Sequence, residues 1–139
     1  MKGVHIFLVL IVIGIVLGVG IANKQTGKAI SANNLPSFAT AAPIVEEAYK
    51  FAFSNPEALN GVKCYCGCMQ HLHDGRIHKR GLLDCFMKED GSAEKHASQC
   101  DMCIKDALQV KQMTEQGVDK ETIKKTIDMK YANQGGQHG

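Results

Sequence analysis

All six cysteines of this 139-residue chain, and four of its six histidines, fall within residues 64–103. No other feature constrains the fold as strongly. The stretch opens Cys64-Tyr65-Cys66-Gly67-Cys68-Met69, passes His71, His73, His78 and Cys85, and closes His96-x-x-x-Cys100-x-x-Cys103. With no Trp, three Tyr and five Phe, a chain of this size draws only modest stability from an apolar core. A staple is expected, and the sulfurs can supply it by holding metal or by holding one another. They can also do redox work.

Ahead of this stretch, residues 3–22 (GVHIFLVLIVIGIVLGVGIA) carry no charge. As a helix they would rise about 30 Å, the thickness of a bilayer's hydrocarbon. Gly20-Ile21-Ala22 offers the small residues of a signal cleavage site, whereas the length of the run favours an uncleaved anchor. Residues 1–22 are therefore expected to be a transmembrane anchor or signal segment. That makes the protein single-pass in the cell membrane, or secreted if the segment is cleaved, with the C-terminal domain extracytoplasmic. Under the positive-inside tendency, Lys2 and the amino terminus compete with Lys24 and Lys28, so the orientation comes from the signal readings. His5 reads as an interfacial passenger. Sixteen basic against 14 acidic residues leave a net charge of +2, which provides no electrostatic footprint for nucleic acid.

Residues 23–42 are small and polar without a sustained period, a linker. Pro43 suits a first helical position, and Glu46 and Glu47 favour a helix start. Ile44, Ala48, Ala52 and Val45, Tyr49, Phe53 recur at helical spacing, predicting a first helix to about Phe53. Asn55-Pro56 breaks it, and residues 56–59 add a short turn. No period persists over residues 63–79, a loop that something must hold. A short turn follows at 81–87, with Leu82, Leu83 and Phe86 inward. Ser92 reads as the N-cap of a long helix over 93–116, stopped by Gly117. Asp119 caps the last helix, with Val118 and Ile123 spaced as a hydrophobic staple. The expected domain spans 43–131, and residues 132–139 form a Gly-rich tail with His138 in solvent. The fold class is mainly α: a small Cys-rich domain of three to four helices behind the N-terminal segment.

On a helix over 93–116, His96, Cys100 and Cys103 would share a sector of about 60°. The Cys64–Cys66–Cys68 segment can curl to present two or three thiolates to one centre. Thiolates select soft or borderline ions, chiefly Cu(I), Zn(II) and iron–sulfur clusters, and zinc takes four tetrahedral donors. The candidate ligands are Cys64, Cys66, Cys68, Cys85, His96, Cys100, Cys103, His71, His73 and His78. They outnumber one site, so there are two sites or some cysteines pair. Met69 is a thioether donor or loop packing. The ion is read as copper for chaperone or storage work, or else as structural zinc, with a metal-donor or metal-acceptor protein as partner.

Two alternatives stand beside this. Six cysteines in an exported domain are also a disulfide framework for a non-catalytic binding or assembly module. Cys100-x-x-Cys103 has the spacing of a thiol–disulfide redox protein, but the pattern sets it inside a helix rather than before one. No residue is marked as catalytic, and the C-x-x-C-H haem pattern is absent.

The chain resembles the PCYCGC-motif family of small exported or membrane-attached bacterial proteins. The matching pieces are Glu47-Ala48-Tyr49-x-Phe51-Ala52, Asn55-Pro56-Glu57-x-Leu59, Cys64-Tyr65-Cys66-Gly67-Cys68, Asp84-Cys85-Phe86 and His96-Ala97-x-x-Cys100-x-x-Cys103. It departs at Lys63, where the family's motif has proline, and lacks a lipidation cysteine, so a peptide anchor would replace a lipid. The resemblance implies one extracytoplasmic domain built around these cysteines and brings no biochemical activity with it.

Overall fold

Four α-helices, three 3-10 turns and the loops between them make up the described part of the computed structural model, residues 31–72 and 75–132. The expected membrane segment, His5, His73 and His138 lie outside these residues. Among the described residues no helix is long and apolar enough to cross a membrane.

Pro43 begins α1 (Pro43–Ser54), as its fixed φ and missing N–H dictate. The helix buries Ala48, Tyr49, Phe51 and Ala52 and leaves Ile44 exposed. Asn55 ends it, and Pro56 starts α2 (Pro56–Leu59). The segment read as linker contributes a 3-10 turn, Ser37–Thr40, with Ala39 fully buried. Phe38 from this turn meets Tyr49 edge-on at 6.1 Å, and Phe86 meets the same ring at 5.0 Å. Tyr49 is thus the centre of the apolar core.

The chain after α2 crosses back on itself at Gly81. Leu82 N–H donates to the Val62 carbonyl at 2.8 Å, and Gly61 N–H donates to the Arg80 carbonyl at 3.0 Å. Gly81 has φ +69°, and a Cβ there would sit 2.1 Å from the Val62 oxygen. Only glycine allows two backbones this close. The crossing leads into the 3-10 turn Gly81–Cys85, all five of whose residues are buried. Leu82, Leu83 and Phe86 face the core as their spacing predicts.

The expected helix over 93–116 begins only at Asp101. Ser92 does not cap it: its N–H and hydroxyl both bond the Asp90 carboxylate within a turn, 2.9 and 2.6 Å, with Gly91 at φ +79°. Glu94 N–H donates to the Phe86 carbonyl at 2.8 Å, and Lys88 N–H to the Ser92 carbonyl at 2.8 Å, a hairpin-like pairing that excludes helix. The Tyr49 hydroxyl then pins the next residues, donating to the Glu94 carbonyl at 2.5 Å and accepting from Ser98 N–H at 3.1 Å. A 3-10 turn, His96–Gln99, follows, and Cys100 is extended. These long-range bonds override the helical pattern of residues 93–100.

Helix α3 (Asp101–Glu115) packs along α1, and Gly117, at φ +75°, turns the chain into α4 (Lys120–Ala132). Asp119 caps α4 as expected, accepting from Thr122 N–H at 3.0 Å and from its hydroxyl at 2.6 Å. Ile123 and Ile127 are buried beneath it. Asp106, fully buried on α3, ties the pair together by accepting from Lys130 at 2.6 Å and from the Tyr131 hydroxyl at 2.9 Å.

Candidate metal centre

The Cys64–Cys68 loop is fixed by the residue between its first two sulfurs. In an extended segment successive side chains point oppositely, so Cys64 and Cys66 face inward while Tyr65 faces α4. There Tyr65 stacks on Tyr131 at 4.4 Å and donates to Asp128 at 2.8 Å. Lys63, standing where the motif has proline, also pairs with Asp128, at 3.4 Å. The loop then turns through Gly67 (φ +93°), and His78 N–H donates to the Cys68 carbonyl at 3.1 Å. Cys85 comes from the buried 3-10 turn, Cys103 from the first turn of α3, and Cys100 from the position that caps it.

All six thiols are free. The Sγ of Cys64 lies 3.1 Å from Cys66, 3.5 Å from Cys85 and 3.6 Å from Cys103. Cys66 is 3.2 Å from Cys68 and 3.8 Å from Cys103, and Cys68 is 3.7 Å from Cys85. A disulfide bond is about 2.0 Å, so these are unbonded neighbours, and the alternative of a disulfide framework finds no bonded pair among the six cysteines. His96 Nε2 stands 3.3 Å from Cys66, and His78 Nδ1 stands 3.4 Å from Cys85. The two imidazoles meet edge-on at 5.3 Å.

Three sets of four donors, each with its ligand atoms within 4.8 Å of one another, occur among the described residues. They are Cys64, Cys66, Cys85 and Cys103; Cys66, His96, Cys100 and Cys103; and Cys66, Cys68, Cys85 and His96. Cys64, Cys68, Cys85 and Cys103 are at most 2 % exposed, while Cys66, His96 and Cys100 are partly exposed. The cluster therefore has a buried floor and an open rim.

The electrostatics follow from this crowding. The Cys66 thiol is held far below its ordinary value, first by the Cys100 hydrogen bond and then by Cys103. Cys64 is lowered to about 4, chiefly by a hydrogen bond with Cys103. Their neighbours shift the opposite way: Cys103 is pushed up first by Cys100, Cys85 by Cys103, and Cys68 by Cys64. His96 is raised to about 10 by hydrogen bonds to Cys100 and then to Cys66. Burial, and then His96, lower His78.

Of the residues singled out by type, His71 is exposed on the loop and not in these donor sets, and His73 is outside the described residues. Met69 spends its sulfur on the backbone, accepting from Cys64 N–H at 3.2 Å. The shared helical face foreseen for His96, Cys100 and Cys103 does not exist, because α3 starts after Cys100. The three still converge, by way of the 3-10 turn and the extended Cys100. The same correction moves Cys100-x-x-Cys103 from a helix interior to a helix N-terminus. Tyr49 and Tyr65, which place the ligand loops, bond to Glu94 and Asp128 far along the chain, so a helical face and the cysteine string give no local sign of that role.

The family described as protein of unknown function with PCYCGC motif matches residues 21–138. The chain belongs to the PCYCGC-motif family. No curated protein and no solved structure matches it. In this PCYCGC-motif protein the Cys-Tyr-Cys-Gly-Cys string has a physical meaning. Cysteines line the cluster, the tyrosine anchors the loop to α4, and glycine makes the left-handed turn between the last two sulfurs.

Proposed function

We propose that this PCYCGC-motif protein binds Cu(I) and carries or stores it outside the cytoplasm, tethered by residues 1–22 and exchanging metal with a donor or acceptor protein. The observation behind this is the packing of five free thiols at 3.1–3.8 Å, with Cys100 within 4.8 Å of Cys66 and Cys103 and two imidazoles beside them. Soft sulfur donors in excess of a tetrahedral set suit Cu(I), which accepts two or three thiolates. The partly exposed rim of Cys66, His96 and Cys100 gives a partner's sulfur a point of attack for stepwise ligand exchange. Structural zinc is the competing ion, because four sulfurs around zinc stand about 3.8 Å apart, close to several of the separations above. Full-length protein purified without oxygen, then titrated with Cu(I) and Zn(II) against chelators of known affinity, tests this. Retention of Cu(I) in preference to Zn(II), with all six thiols protected from alkylation, is expected. Zinc held more tightly than copper would convert the proposal to a structural site.

A second reading rests on the C-x-x-C spacing of Cys100 and Cys103, which the structure sets at the N-terminus of α3 rather than in a helix interior. Reversible formation of a Cys100–Cys103 disulfide during turnover of a disulfide substrate would support thiol–disulfide exchange. The metal reading expects no such turnover from the loaded protein.

A further inference from the structure

We infer that the site is a thiolate-bridged centre for at least two Cu(I) ions, with Cys66 and Cys103 as bridging ligands between a buried inner ion and a rim-facing outer one. This rests on the metal-binding reading and extends it to stoichiometry and order of release.

Two of the donor sets differ in an instructive way. The inner set is Cys64, Cys66, Cys85 and Cys103, and the outer is Cys66, His96, Cys100 and Cys103. They share one edge, Cys66–Cys103, whose sulfurs are 3.8 Å apart. Both shared donors are thiols, and a thiolate sulfur has lone pairs for two ions where an imidazole nitrogen has one. The imidazole falls only at the unshared end. Cys66 and Cys103 each lie within ligand distance of both sets of donors, and the two residues placed to bridge are chemically able to do so.

Spacing selects the charge of the ions. With metal–sulfur bonds of about 2.3 Å and a shared edge of 3.8 Å, two edge-sharing ions stand at most about 2.6 Å apart. Repulsion between two dications at a given distance is about four times that between two monocations. A pair this close therefore calls for a monovalent soft ion. Binding is redox-neutral: Cu(I) is supplied as Cu(I), and each thiol that ligates gives its proton to solvent.

Burial separates the two ions in lability. Cys64, Cys85 and Cys103 are 0–2 % exposed, whereas His96 and Cys100 are partly exposed. The outer ion is the exchangeable one, and the inner ion stays with the fold. Cys68, 3.2 Å from Cys66 and 3.7 Å from Cys85, stands ready to enlarge the cluster.

The test is anaerobic titration of the full-length protein with Cu(I), read by native mass spectrometry and X-ray absorption. The wild type should saturate at two or more ions and show a copper–copper scattering shell at about the spacing above. The His96→Ala/Cys100→Ser variant should hold one ion fewer. Cys66→Ser should lose the copper–copper shell, with circular dichroism confirming that its helices remain. Saturation of the wild type at one ion would overturn the bridged centre and leave metal binding standing. No retention of Cu(I) would overturn both. A Cys66→Ser variant that folds and keeps the wild-type shell would overturn the bridging role.

Discussion

Replacing Tyr49 with Phe tests the link between core and site with the least disturbance. The ring would keep its edge contacts with Phe38 and Phe86, at 6.1 and 5.0 Å, because only the hydroxyl is removed. That hydroxyl serves the Glu94 carbonyl and the Ser98 N–H, and both lose their partner. A net hydrogen bond is worth about 1 kcal/mol, and leaving a buried group unpaired costs about 1–3 kcal/mol. Two bonds, one of them buried, therefore predict a loss of about 2–3 kcal/mol. For a domain of this size that is a fall in Tm of roughly 10 °C or more. Burial holds the Tyr49 hydroxyl well above its ordinary pKa, so it remains a donor across the working range. The assay is thermal and urea unfolding of the reduced, metal-free protein. A second readout is specific to the site: residues 94–98 deliver His96 and Cys100, so Tyr49→Phe should speed chelator removal of the outer ion more than the inner. A stability change below about 0.5 kcal/mol, within the range of neutral surface substitutions, would refute the claim that this hydroxyl fixes the rim. So would equal acceleration of both ions.

Gly81→Ala should be among the most damaging single changes, since its Cβ would meet the Val62 oxygen at 2.1 Å and its φ of +69° is strained for any other residue. A loss on the order of 3 kcal/mol or more is expected from strain and overpacking together, with reduced metal capacity because the crossing sets Cys64 beside Cys85; denaturant melts and metal counting check both. In metal-free protein, the folded state raises His96 from 6.5 to about 10, so its contribution is full below 6.5 and is lost as pH climbs through about 10. The margin of wild type over His96→Gln in thermal melts should therefore be greatest in mildly acidic buffer and shrink steadily toward that upper value. Metal itself should stabilise by mass action, about 4 kcal/mol at a free concentration a thousandfold above Kd. A Tm rise with Cu(I) that reverses on adding chelator is the expected sign, while His71→Ala should leave the rise unchanged.

The sequence by itself determined much of the helical frame. Pro43, Asn55-Pro56, Gly117 and Asp119 act through their own backbone chemistry, and the structure puts helix starts and stops at or beside each of them. The donor inventory was legible in the same way, because thiols and imidazoles crowded into residues 64–103 have few other uses. What only the tertiary structure decided was where α3 begins and which donors meet. Residues 93–100 satisfy a helical pattern locally, but their backbone groups bond to Phe86 and the Tyr49 hydroxyl, the latter 45 or more residues distant. Likewise Cys64 and Cys103, 39 residues apart, reach 3.6 Å only because Gly81 lets two backbones cross and Tyr65 pulls its loop onto α4. A local pattern reports what a segment can form, whereas which sulfurs share a centre depends on contacts between distant segments that exist only once the chain has closed.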